Sequence, residues 1–167
     1  MPVFCCFPGT GKSYVALQDH RVIDLESSDF KFGGNHSHRD YDTTRSKQAT
    51  WPYNYVERIQ ELAPSNIVFA STHIEVRQLL SDNGVGFFTV YPIPQAKSVY
   101  LNRYAQRGSD QRFLDFMRDN FDTLIADIQD IPIPRQHLVQ IGIETYISDL
   151  MADLNLATWG DRPSRTA

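Results

Sequence analysis

The sequence predicts a three-layer α/β/α sandwich built around a five-stranded parallel sheet. Three observations lead there. Short continuous apolar runs recur at strand length, as strands covered on both faces require. Helical segments with an apolar period near 3.6 residues alternate with them. A glycine-containing loop joins the first apolar run to the first helical segment, where an α/β fold places a ligand loop.

The elements follow in order. Residues 2–5, Pro2-Val3-Phe4-Cys5, read as a buried strand, and Tyr14-Val15-Ala16-Leu17 opens a helix that ends near Asp19-His20. Residues 21–25 read as a second strand, with Asp24 at its carboxyl end and Glu26, Ser27 and Ser28 just beyond. Residues 29–50 are polar and without period, as in Gly33-Gly34-Asn35-His36-Ser37-His38, and predict a long mobile loop. His36 and His38 read as solvated loop histidines, since no further ligands accompany them. Trp51-Pro52 starts a helix with Pro52 in its first turn and Tyr55, Ile59 and Leu62 at helical spacing. Residues 67–70 form a third strand, and Ser71-Thr72-His73 lie at its carboxyl end. Thr72 reads as the cap of a helix over 74–80, with Glu75 as capping-box partner. Asn83-Gly84 closes that helix, and residues 86–91 are the fourth strand.

A helix over 95–106 follows and breaks at Gly108-Ser109. The amphipathic stretch 113–128 predicts a helix with Phe113, Phe116, Met117, Phe121, Leu124, Ile125 and Ile128 inward. Pro132 and Pro134 form a connector, residues 137–141 the fifth strand and 145–154 the last helix. No repeat or boundary divides the chain. It reads as one domain over 1–157 with a frayed tail over 158–167.

Composition narrows the function classes. The 167 residues suffice for one domain with a sizeable core, and 41% hydrophobic with 22% charged residues is ordinary for a globular chain. A net charge of −4 argues against a large footprint on duplex nucleic acid. Cys5 and Cys6 are adjacent, so they predict neither a disulfide framework nor a metal site. They suit a reducing, cytoplasmic setting. No run has the length of a membrane span, and the N-terminus lacks the basic region of a signal peptide.

The chemistry concentrates in Cys6-Phe7-Pro8-Gly9-Thr10-Gly11-Lys12-Ser13. In such a loop, backbone N–H groups turn inward around a phosphate. Pro8, Gly9, Thr10, Gly11, Lys12, Ser13 and Tyr14 are therefore the expected nucleotide-binding residues. Lys12 is expected to reach the β- and γ-phosphates, and Ser13 to place its hydroxyl on Mg²⁺. The usual pattern is Gly, four residues, then Gly-Lys-Ser/Thr; Cys6 replaces its first glycine. Arg103 and Arg107 project from one face of a helix, one turn apart, and Arg112 follows the Gly-Ser break. Planar, permanently charged guanidinium forks suit phosphate oxygens, so residues 103–112 read as a lid. The competing reading is a solvated basic helix face.

With these residues, the chain resembles the P-loop kinases, especially the small nucleoside and nucleotide kinases and related phage enzymes. The element order carries the resemblance over nearly the whole chain; the specific residues are Phe7 to Ser13, Asp24 and the pair Arg103 and Arg107. The stretches 24–30 and 51–55 resemble the phage branch, where some members phosphorylate nucleotides and others 5-hydroxymethyluracil in DNA. The resemblance implies a P-loop NTPase fold and ATP-dependent phosphoryl transfer with Mg²⁺ to a nucleotide or nucleoside-type acceptor. Modified DNA is the alternative acceptor, and a non-catalytic nucleotide-binding module the alternative class. GTPases fit less well, because residues 67–70 lack a terminal Asp and no Asn-Lys-x-Asp run occurs. The resemblance also implies catalytic roles for Lys12, Asp24, Arg103 and Arg107. Asp24 either orients Mg²⁺ through water or accepts a proton from a hydroxyl acceptor. The acceptor is expected near Asp24, Ser27, Phe30 and Trp51, with the 29–50 loop covering it. Phe30, Trp51 and Tyr53 are expected to stack on a base there, with core packing as the competing reading, above all for Trp51.

Overall fold

The computed structural model describes residues 1–32 and 46–153. Its element order is β1 (Val3–Cys6), α1 (Lys12–Gln18), β2 (Val22–Asp24), α2 (Ser27–Phe32), α3 (Tyr53–Leu62), β3 (Ile67–Ser71), α4 (Ile74–Asp82), β4 (Phe87–Pro92), α5 (Lys97–Gln106), α6 (Gln111–Asp130), β5 (Gln136–Ile141) and α7 (Ile147–Asp153). The five strands form one sheet in the order β2-β3-β1-β4-β5, and every pairing is parallel.

Side-chain alternation along the strands builds the layers. Val3 and Cys5 of β1 pack with Tyr55, Val56 and Ile59 of α3 and with Val76 and Leu80 of α4. Phe4 and Cys6 point the other way, onto Val15 of α1 and Ile147 and Met151 of α7. A third cluster joins Phe7 and Tyr91 to Tyr100 and Tyr104 of α5 and to Met117, Phe121, Ile125 and Ile128 of α6. All four residues of β1 are buried, which is why its sequence shows no alternation.

The expected helices and five strands are present, with bounds shifted by a residue or two. Residues 29–32, read as the start of a loop, instead complete α2. Its first turn is stabilised from outside: Glu26 Oε1 accepts from the Ser28 backbone N–H at 3.2 Å and from Ser28 Oγ at 3.1 Å. Residues 33–45, with His36 and His38, lie outside the described residues, as does the tail from 154 onward. The Thr72–Glu75 capping box is not formed. Glu75 Oε1 accepts from Trp51 Nε1 at 2.9 Å, and the Thr72 carbonyl accepts from the buried Arg77 at 3.1 Å. Phe116 is exposed rather than inward, because the buried stripe of α6 runs through Met117, Phe121, Ile125 and Ile128 and leaves it at the edge. Gly84 closes α4 with φ 77°, a conformation that costs glycine little.

Candidate functional site

The strand order fixes where a ligand can sit. β1 lies between β3 and β4, and the chain fills one side of the sheet before crossing to the other. The crevice outside the carboxyl end of β1 is thus the topological switch point. The glycine loop leaves β1 there, and the Phe7 N–H continues the ladder by donating to Val90 O at 2.8 Å.

Cys6 is the last residue of β1, paired in register with Ser71 and Val90. Its side chain is buried in the α1/α7 layer. Arg135 is the one non-glycine residue with positive φ among the described residues, so position 6 does not need a glycine here. The left-handed conformations fall at Gly9 (φ 82°) and Gly11 (φ 93°). Both thiols are buried, and desolvation pushes Cys5 up to about 12 and Cys6 higher still, which removes them as nucleophiles.

The loop is pinned by its carbonyls. Thr10 Oγ1 donates to Phe7 O at 2.9 Å, Tyr104 Oη to Pro8 O at 2.8 Å, and the Ile147 N–H to Thr10 O at 3.0 Å. The amides from Gly9 to Tyr14 donate to no other described residue. A set of unspent N–H groups on a rigid loop is what an anion-binding nest requires. Extra bulk is opposed at both glycines: a Cβ on Gly9 would lie 2.8 Å from the Tyr104 ring, a clash, and one on Gly11 3.2 Å from the Tyr146 ring, which would have to give way by a few tenths of an ångström.

Facing the loop is a cleft of about 350 Å³ lined by Gly9, Gly11, Lys12, Ser13, Tyr14, Arg103, Arg107 and Tyr146. Three cations meet there, and no carboxylate lines it among the described residues. Lys12 forms no ion pair with a described residue. Arg107 donates from Nε to Ser109 Oγ at 2.9 Å and rests over the rings of Tyr104 and Phe113. Arg103 donates from Nη2 to Ile143 O at 2.7 Å, while its Nη1 is buried without a partner among the described residues. Converging positive charge in a concave site attracts anions.

Ser13 Oγ donates to Asp24 Oδ2 at 2.6 Å. This places the carboxyl end of β2 beside the loop. A hydroxyl next to a carboxylate suits Mg²⁺, which takes few protein oxygens and fills the rest of its shell from phosphates and water. Among the described residues no group of three or more His, Cys, Asp or Glu side chains gathers to form a metal cage.

The expected acceptor residues do not line this cleft. Trp51 is buried in the core, 5.4 Å from the Tyr55 ring and 5.3 Å from the His73 ring between centroids, so core packing describes it. Phe30 packs edge-on against Tyr55 at 5.2 Å, and Ser27 is buried at the start of α2. These residues lie around the carboxyl ends of β2 and β3. Tyr55 Oη ties those ends together, donating to Leu25 O at 2.7 Å and accepting from the Ser71 N–H at 3.1 Å. His73 is joined to Ser71 Oγ through Nδ1 at 2.8 Å. Burial, with Lys31 adding to it, lowers its pKa to about 4, so it is neutral at neutral pH.

Sequence reasoning missed Tyr100, Tyr104 and Tyr146 as site residues. The first two were visible only as core-facing helix positions. Tyr146 had a signal, its place just beyond the carboxyl end of β5.

No family model matches the chain, and no curated protein matches it in sequence. Among the described residues, no helix is long and apolar enough to cross a membrane.

Proposed function

We propose that this chain is an ATP-dependent phosphotransferase with a P-loop NTPase fold of the nucleotide-kinase kind, acting on a nucleotide or nucleoside-type acceptor. One observation carries the reading: Lys12, on a loop with unspent amides, faces Arg103 and Arg107 across a cleft that no carboxylate lines among the described residues. That arrangement supplies what phosphoryl transfer needs, positioning and charge stabilisation. The amides from Gly9 to Tyr14 and the Lys12 ammonium hold the donor's phosphates. Arg103 and Arg107 offset charge on the transferring group.

Ser13 and Asp24 would hold Mg²⁺, which supplies charge neutralisation between phosphates when bound. Asp24 already accepts a hydrogen bond from Ser13, which favours the metal-orienting role over that of a base for a hydroxyl acceptor. The cleft volume is in the range of small-ligand sites, and the net charge of −4 favours a nucleotide over duplex DNA as acceptor. Because Cys6 is accommodated within β1, the loop needs no distortion, and the motive for a non-catalytic module is reduced.

The test is radiolabel transfer from γ-labelled ATP to a panel of nucleosides, nucleotides and hydroxymethyluracil-containing DNA. Label is expected on a small acceptor, with loss of at least about 100-fold in Lys12→Ala. Label on DNA alone would replace the acceptor assignment. Nucleotide binding without transfer to any acceptor would make the chain a binding module.

A further inference from the structure

Arg103 is held unlike an exposed lid arginine. Its guanidinium carbon is 4.9 Å from the Tyr100 ring centroid and 4.4 Å from that of Tyr146, so it is in contact with two aromatic rings. One arm, Nη2, is tied to Ile143 O in the turn between β5 and α7. The other arm, Nη1, and the Tyr100 hydroxyl are both buried without a completed hydrogen bond among the described residues, and the guanidinium acts on that hydroxyl, opposing the burial that raises its pKa. A buried, charged N–H group without a completed hydrogen bond is costly, so the way this guanidinium is held matters to the site.

Tyr146 connects this arginine to the phosphate loop. Its ring lies against Gly11, where a Cβ would come within 3.2 Å of it. Its backbone N–H donates to Asp149 Oδ2 at 2.8 Å, which anchors the start of α7, and the next residue, Ile147, donates to Thr10 O. The Tyr146 ring is therefore fixed from the α7 side, touching the loop and Arg103 together.

We infer that Tyr146 is a positioning residue that holds the Arg103 guanidinium at the cleft, where it meets an anionic oxygen held by the phosphate loop. The inference rests on the phosphotransferase reading. An aromatic face restrains a guanidinium without consuming its N–H donors, so the fork stays available to the ligand. The phenol hydroxyl has no part in this. The ring is what matters, and Tyr146→Phe should preserve it.

The experiment combines kinetics and side-chain NMR on the full chain. Tyr146→Phe is expected to match the wild type. Tyr146→Ala is expected to lower kcat roughly 10- to 100-fold, the scale of a misplaced catalytic contact, with a smaller change in the KM for ATP. The loss should not add to that of Arg103→Ala in the double variant, because both remove one device. The guanidinium resonances of Arg103 should lose the Tyr146 part of their ring-current shift in Tyr146→Ala, keeping only that of Tyr100, and retain the full shift in Tyr146→Phe. Tyr146→Leu, which keeps bulk but no aromatic face, guards against a folding defect and should resemble the Ala variant. Additive losses, or an unchanged kcat in Tyr146→Ala, overturn the positioning role while leaving phosphoryl transfer in place. A wild-type chain that neither binds ATP nor transfers label overturns the phosphotransferase reading, and this assignment with it.

Discussion

Ser13 and Asp24, 11 positions apart in sequence, are joined by a 2.6 Å hydrogen bond between Oγ and Oδ2. The first residues of α1 and the carboxyl end of β2 are thereby joined at the edge of the cleft. If the pair holds Mg²⁺, Asp24→Asn should lower kcat far more than ATP affinity, by roughly 10²-fold, and added Mg²⁺ should restore part of it. If Asp24 is instead the base for a hydroxyl acceptor, added Mg²⁺ restores nothing. Wild-type kinetics in Asp24→Asn would remove Asp24 from the site.

Gly9 adopts φ 82°, and its Cα faces the Tyr104 ring, with no room for a methyl group. Gly9→Ala therefore combines left-handed backbone strain of about 1 kcal/mol or more with a steric clash against a fully buried tyrosine. Tyr104 Oη holds Pro8 O, so the loop cannot move away without breaking that bond. ATP affinity should fall at least tenfold, measured by calorimetry, and melting temperature should drop by a few degrees. An Ala variant with unchanged affinity would show that the loop relaxes freely.

The layers of the fold were legible because buried parallel strands leave continuous apolar runs, as in Val3-Phe4-Cys5 and Ile67-Val68-Phe69-Ala70. Lys12, Ser13 and the two arginines were legible because they follow local patterns, a glycine loop and a helical spacing. What was hidden depends on partners distant in sequence. Trp51 reads as a stacking surface until Glu75 takes its indole N–H and Tyr55 its face. Cys6 reads as a damaged glycine position until strand pairing with Ser71 and Val90 shows that no positive φ is needed there. Tyr146 has no motif of its own, and its place beside Gly11 and Arg103 exists only because the turn after β5 delivers it there.

His73 gives a prediction for pH. Its pKa is lowered to about 4, first by burial and then by Lys31, with Lys47 acting the same way and Glu75 and Glu26 opposing. An unfolded histidine titrates near 6.5, so between about 6.5 and 4 the unfolded chain binds more protons than the folded one. Stability therefore falls as pH drops through that window, and His73 contributes nothing to the pH dependence above it. The loss from this group should be about 2–3 kcal/mol at pH 4 relative to pH 7.5. Urea unfolding across the range checks it. His73→Asn should flatten the slope between pH 6.5 and 4, and an equally steep slope in that variant would assign the effect elsewhere.

Arg107 should behave differently from Arg103. It lies one residue past the end of α5, before the Gly108 turn at φ 76°, and its side chain is exposed. Its contacts are the Ser109 hydroxyl and the rings of Tyr104 and Phe113, 4.9 and 5.6 Å from its guanidinium carbon. Exposed contacts of this kind contribute only about 0.5–1 kcal/mol, so Arg107→Ala should leave the fold nearly as stable as before. An interaction made with the transferring group and absent from bound ATP alone lowers kcat without weakening ATP binding. Arg107→Ala should therefore cost roughly 10²-fold in kcat with little change in ATP affinity. Arg107→Lys should recover only part, because an ammonium keeps the charge and loses the planar fork. Equal rates in wild type, Ala and Lys variants would show that Arg107 is a solvated helix end and leave Arg103 as the arginine of the site.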